Sequence, residues 1–138
     1  MRVKLVNHTP NIETVIATSM LTTTSGAQPS ILYDRLLHKP EKVNDIVGRL
    51  EVQHGNILEH NRLTWIVESS QSEVLEVLLQ NRFFTFTRLD ESRWLVSSNL
   101  RTIVEYASSN ENEFSKQILE SISNIAPQVY LFVKGSLQ

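Results

Sequence analysis

The stretch 61–68 breaks the period of its surroundings: Leu63, Trp65 and Val67 alternate with Arg62, Thr64 and Glu68. Successive side chains of a strand point to opposite faces, so this alternation suits a strand. On either side the period is helical. Pro40 opens a segment with Val43, Ile46, Val47 and Leu50 at i, i+3, i+4 and i+7, predicted to continue to about His54-Gly55. After the strand, Ser69 or Ser70 is placed to cap a helix carrying Val74, Val77 and Leu78, with Glu73 suited to its first turn. Leu100, Ile103, Val104 and Ala107 form a further stripe, capped by Ser97 or Ser98. Phe114, Ile118, Ile122 and Ile125 form the next, ending before Pro127.

The remaining segments read as a strand over 2–6, a helix through Ile12, Val15, Ile16 and Met20 with Asn11 as N-cap, and a loop over 22–26. A short helix is expected over 31–37. Strands are expected over 83–87 and 94–97 around an Asp90-Glu91-Ser92 turn, with a last short strand over 129–133. Strands and helices mix without regular alternation, which predicts an α+β fold, helices packed on an antiparallel or mixed sheet. A length of 138 residues predicts one domain spanning 1–138.

Thirteen Lys and Arg against fifteen Asp and Glu leave a formal charge of −2, which argues against a partner as anionic as a nucleic acid polymer. No apolar run approaches the roughly 20 residues of a membrane span. The start, Met1-Arg2-Val3-Lys4, lacks the layout of a secretory signal, so a soluble cytoplasmic protein is expected. The chain contains no cysteine, which removes thiolate zinc sites, iron–sulfur clusters and cysteine nucleophiles. Any catalysis must use hydroxyls, imidazoles, carboxylates or amines, or a bound cofactor.

Two segments concentrate polar groups at the edges of regular elements: residues 54–60, His-Gly-Asn-Ile-Leu-Glu-His, and residues 94–101, Trp-Leu-Val-Ser-Ser-Asn-Leu-Arg. His54 and His60 are six apart, which matches neither a helical i,i+4 zinc pair nor a finger spacing. Imidazoles hydrogen-bonded at a helix–strand corner are the simpler account, and no metal is expected. For Arg101 the plain alternative is a solvated charge on an amphipathic helix.

Taken in order, several blocks resemble the flavin-dependent thymidylate synthase (ThyX) family. They are the opening strand with Thr9-Pro10, the Gln53–His60 stretch against Gly-His-x-Ser/Thr-x-x-Glu-His, Gln80-Asn81-Arg82 against Arg-His-Arg, and residues 94–101 against Trp/Phe-Val-Ser-x-Asn-x-Arg. The resemblance implies a ThyX-like fold, a homotetramer, and reductive methylation of dUMP to dTMP with FAD, NADPH and methylenetetrahydrofolate. It places His54, Asn56, Glu59, Arg82, Asn99 and Arg101 at the flavin, with Asn56 standing for Ser or Thr.

The same comparison puts neutral residues where the family contacts its substrate. Gln80 and Asn81 replace the first Arg and the His of the signature, and Val77 replaces a helix Gln. Asn110 stands where the pyrimidine-activating Arg lies, and Phe114 where a His follows. Thr85 is the nearest relic of a Ser in a continuation that is otherwise shortened. Each lost charge-assisted contact removes about 1.5–3 kcal/mol of binding. The reading the chemistry favours is therefore a paralogue that binds FAD or another nucleotide without making dTMP. An active divergent synthase and a non-catalytic assembly partner are the alternatives.

Overall fold

Leu63, Trp65 and Val67 are fully buried, all on one face of β2 (Arg62–Glu68), as the alternation requires. The computed structural model describes residues 1–22, 26–51 and 55–136. Its four strands, β1 (Arg2–His8), β2, β3 (Thr85–Arg88) and β4 (Arg93–Asn99), form a wholly antiparallel sheet in the order β1-β2-β4-β3. Trp65 pairs with Leu5 on one side and Val96 on the other, so the apolar positions form rows across one face. The intervening Lys4, Arg62, Glu68 and Arg93 are exposed.

Helices cover the apolar face. These are α1 (Ile12–Thr22), α2 (Pro29–Leu37), α3 (Pro40–Val47), α4 (Gly55–Leu58), α5 (Gln71–Gln80), α6 (Leu100–Ser109), α7 (Glu113–Ser121) and α8 (Pro127–Ser136). Trp65 Nε1 donates to Ser121 Oγ at 2.9 Å, fixing α7 against β2. Gln117 ties α7 to β1: its Oε1 accepts from the Val3 N–H and its Nε2 donates to the Met1 carbonyl, both at 2.9 Å. Phe84, Phe86, Tyr106 and Phe114 meet mostly edge-on or tilted, with ring centroids 5.4–6.3 Å apart, and bind α6 and α7 to the β3 side.

Several boundaries differ from the sequence reading. Residues 129–133 lie in a helix, not a strand. Val129 and Val133, one turn apart, are both fully buried. The first N–H groups of α8, which lack intrahelical acceptors, find one in a distant side chain: Glu13 Oε2 takes the N–H of Gln128 at 3.0 Å and of Val129 at 3.1 Å. Burial pushes the Glu13 carboxyl up to about 7, against the downward pull of those two N–H groups. Helix α3 ends at Val47 rather than near Gly55, because the N–H groups of Arg49 and Leu50 turn back to the carbonyls of Ile46 and Val47 in short i→i+3 bonds. The β3 strand begins at Thr85, since the Phe83 N–H is taken by Asn81 Oδ1 in a turn.

Capping also departs in two places. Asn11 precedes α1 in a left-handed conformation (φ 54°), which Asn tolerates, and its side chain reaches the Tyr33 hydroxyl instead of capping the helix. Strand β4 runs on through Ser97 and Ser98, so Asn99 caps α6. Ser70 and Glu73 do form the expected reciprocal capping box. The predicted loop over 22–26 falls mostly on residues outside those described.

Candidate functional site

Because β4 feeds directly into α6, Asn99 is both the last strand residue and the helix N-cap, and Arg101 falls in the first helical turn. Asn99 Oδ1 accepts from the Thr102 N–H at 2.8 Å and from the Thr102 hydroxyl at 3.0 Å. That leaves the Asn99 amide nitrogen as the group able to donate to a ligand. Opposite, the turn after α4 brings Glu59 beneath Arg101. Arg101 Nη1 donates to Glu59 Oε1 at 2.6 Å, and Arg101 Nε donates to Glu105 Oε1 at 2.9 Å. These two carboxylates, Glu59 first, raise the Arg101 pKa above its ordinary value.

Glu59, Phe83, Asn99, Arg101, Thr102 and Glu105 line a cavity of about 350 Å³. Three of the six residues expected at a flavin thus share one cavity. Arg82 stands beside it, with its guanidinium 5.1 Å from the centre of the Phe83 ring. Asn56 lies exposed on α4, one turn before Glu59, and does not line the cavity. His54 lies outside the described residues. Phe83, Thr102 and Glu105 were not anticipated as site residues, although Glu105 at i+4 from Arg101 is a helical ion pair legible from spacing alone. Arg101 Nη2 has no partner among the described residues. One guanidinium between two carboxylates still leaves a charge of −1 on this lining, so an incoming phosphate must displace or outcompete a carboxylate. Both pairs are about half exposed, and ion pairs of that kind exchange cheaply.

A larger cavity of about 510 Å³ lies farther along α6, between α5 and the start of α7. Val77, Gln80, Asn110 and Phe114 all line it, together with Tyr106, Glu73, Glu76 and Glu113. These first four are among the positions that the ThyX resemblance gives to substrate contacts and come from three parts of the chain; Asn81 and Thr85 do not line the cavity. The described lining contains no Lys, Arg or His, whereas it carries three carboxylates. Glu73 is held by the Ser70 backbone N–H and other hydrogen bonds, which keep its pKa below the usual carboxylate value. Glu113 Oε1 accepts from Gln117 Nε2 at 3.0 Å. Burial, with a smaller contribution from the Glu76 charge, raises the Tyr106 phenol, while the bond from Asn112 Nδ2 lowers it. An anion entering here would be desolvated among like charges. Among the described residues, no group of three or more His, Asp or Glu is placed to hold a metal ion.

No protein-family model matches the chain, and no curated protein matches it. Among solved structures it is similar to the flavin-dependent thymidylate synthase ThyX from Helicobacter pylori, whose crystal structure holds FAD and dUMP. The TM-score is 0.65 at 10% identity, covering 94% of this chain and 98% of that one. At that identity the likeness concerns the fold: the helices and the four-stranded antiparallel sheet have a ThyX-like α+β arrangement.

Proposed function

We propose that this chain is a ThyX-like nucleotide-binding protein that does not make dTMP, and that its ligand is FAD or a smaller nucleotide held at the N-terminal turn of α6. One observation carries the reading. The substrate-matched Val77, Gln80, Asn110 and Phe114 line one cavity and the flavin-matched Glu59, Asn99 and Arg101 line another, both against α6, and only the smaller one carries a Lys, Arg or His side chain. In the smaller cavity, Arg101 Nη2, the Asn99 amide and the positive end of α6 offer donors to a phosphate. Its volume of about 350 Å³ suits part of a dinucleotide, not all of one. In the larger cavity the phosphate-binding and pyrimidine-activating guanidinium groups have no counterpart, and stabilisation of developing charge is often the largest contribution to catalysis.

Titrating the purified protein with FAD, FMN and ADP, with flavin fluorescence and calorimetry as readouts, tests the reading. Saturable binding that is lost in Arg101→Ala is expected, as is no tritium release from 5-tritiated dUMP in the presence of FAD, NADPH and methylenetetrahydrofolate. Failure to bind any of the three nucleotides, or tritium release above blank, overturns it.

A further inference from the structure

Leu79 is the most exposed large apolar residue among those described, 85% accessible, on the rim of the acidic cavity. Leu75, one turn earlier on α5, is 52% accessible, and Phe83, just past the helix end, is 58% accessible. Leu75 and Leu79 form an apolar stripe on α5 beside the groove between α5 and α6, and Phe83 follows in the turn after the helix, on the wall of the smaller cavity. Val74 and Val77 bury the other face of α5 in the core, so this stripe is not needed to hold the helix in place. Contiguous exposed apolar side chains at one spacing mark a contact surface more often than isolated ones do.

Carboxylates outnumber cations beside this stripe, with Arg82 at its far end against Phe83. Glu76 is exposed on α5 between Leu75 and Leu79, and no described group forms an ion pair with it. Glu73 and Glu113 extend the acidic lining away from the stripe; the Met1 amino group, on the same wall, offsets one of these three carboxylates and helps lower the Glu73 pKa. An apolar ridge flanked by carboxylates complements a helix with apolar residues at i, i+4 and i+7 and Lys or Arg along one edge. The apolar residues would lie against Leu75 and Leu79, and a basic side chain could reach into the cavity toward Glu76.

We propose that the exposed face of α5, with the acidic groove beside it, is the docking surface for a basic amphipathic helix of another protein. This does not rest on nucleotide binding at the smaller cavity, and the two are tested with different probes.

The probe is a fluorescein-labelled peptide of about sixteen residues, long enough for four helical turns, with Leu at i, i+4 and i+7 and Lys along one flank. Its control carries Glu in place of every Lys. Fluorescence anisotropy should show saturable binding of the basic peptide only, weakening at least tenfold as salt rises from about 0.05 to 0.5 M. Leu79→Asp and Glu76→Lys, both at exposed positions, should each weaken binding about tenfold or more, and Arg49→Ala, at an exposed position outside both cavities, should leave it within about twofold. Absence of saturable binding, equal binding of the acidic control, or indifference to both α5 substitutions overturns the proposal. So does a dimer of the chain alone that Leu79→Asp dissociates in sedimentation, because a second copy would then be the occupant.

Discussion

Glu59 and Arg101 are 42 positions apart in the chain, and their side chains meet at 2.6 Å in the wall of the smaller cavity. The pair joins the turn after α4 to the start of α6, and Glu105 holds the same guanidinium from the other side. Arg101 is thus fixed in place but partly neutralised. Its side chain is 40% accessible, so the two pairs add little to folding. Arg101→Ala should therefore leave the urea midpoint of unfolding nearly unchanged while abolishing nucleotide binding. A large loss of stability would show the pair to be structural.

Glu59→Gln combined with Glu105→Gln frees the guanidinium without removing it. Nucleotide affinity should rise about fivefold or more at low salt, with the gain shrinking as salt is added. Calorimetry with ADP reads this directly, and an unchanged affinity would show that no phosphate approaches Arg101.

Glu13 gives the protein a pH dependence of known sign. Its folded-state pKa of about 7 lies above the ordinary value of 4.5, so the folded state holds a proton that the unfolded state releases first. This contribution is complete below about pH 4.5 and is lost as pH rises to about 7, amounting to about 3 kcal/mol. Glu13→Gln keeps an oxygen for the α8 N–H groups and removes the titration. Urea midpoints should favour the wild type more at pH 5 than at pH 8, and the variant should be the more stable at pH 8. A stability difference that does not vary with pH would contradict this.

Asn61 is fully buried, and among the described residues neither its Oδ1 nor its Nδ2 has a partner. Its backbone carbonyl accepts from the Leu100 N–H at 2.8 Å, a bond independent of the side chain. Asn61→Leu, which keeps the number and branching of the side-chain heavy atoms, should raise unfolding free energy by about 1–2 kcal/mol by removing two unsatisfied polar groups. A drop in thermal midpoint would mean the amide meets a partner in solution.

Asn99→Ala should cost about 1 kcal/mol through loss of the cap on α6, whereas Asn99→Asp should retain most of the stability. If the Ala variant keeps wild-type stability but loses nucleotide binding, the amide acts chiefly on the ligand.

Local patterns were the most legible part of the fold. Leu63, Trp65 and Val67 announce β2, and Ser70 with Glu73 announces the start of α5, because each signal lies within a few residues of the structure it governs. The run 129–133 was misleading because valines four apart satisfy a period of two as well as one helical turn. What decides for the helix is the Glu13 carboxylate, more than a hundred positions away. Ser97, Ser98 and Asn99 could each cap a helix, and only the pairing of Ser98 with Leu63 shows that the strand has not yet ended. The candidate site depended on the family resemblance for its residues. That resemblance did not reveal that Glu59 would occupy Arg101, nor that Glu73, Glu76 and Glu113 from two helices would gather around the substrate-matched positions.

The placement of Arg101 between Glu59 and Glu105 also sets a mutational distance. The guanidinium, the helix terminus and the cavity wall are already assembled, and two glutamates becoming glutamines would change the charge of this cluster from −1 to +1. On this scaffold, gaining or losing affinity for phosphorylated ligands requires no change in the path of the backbone.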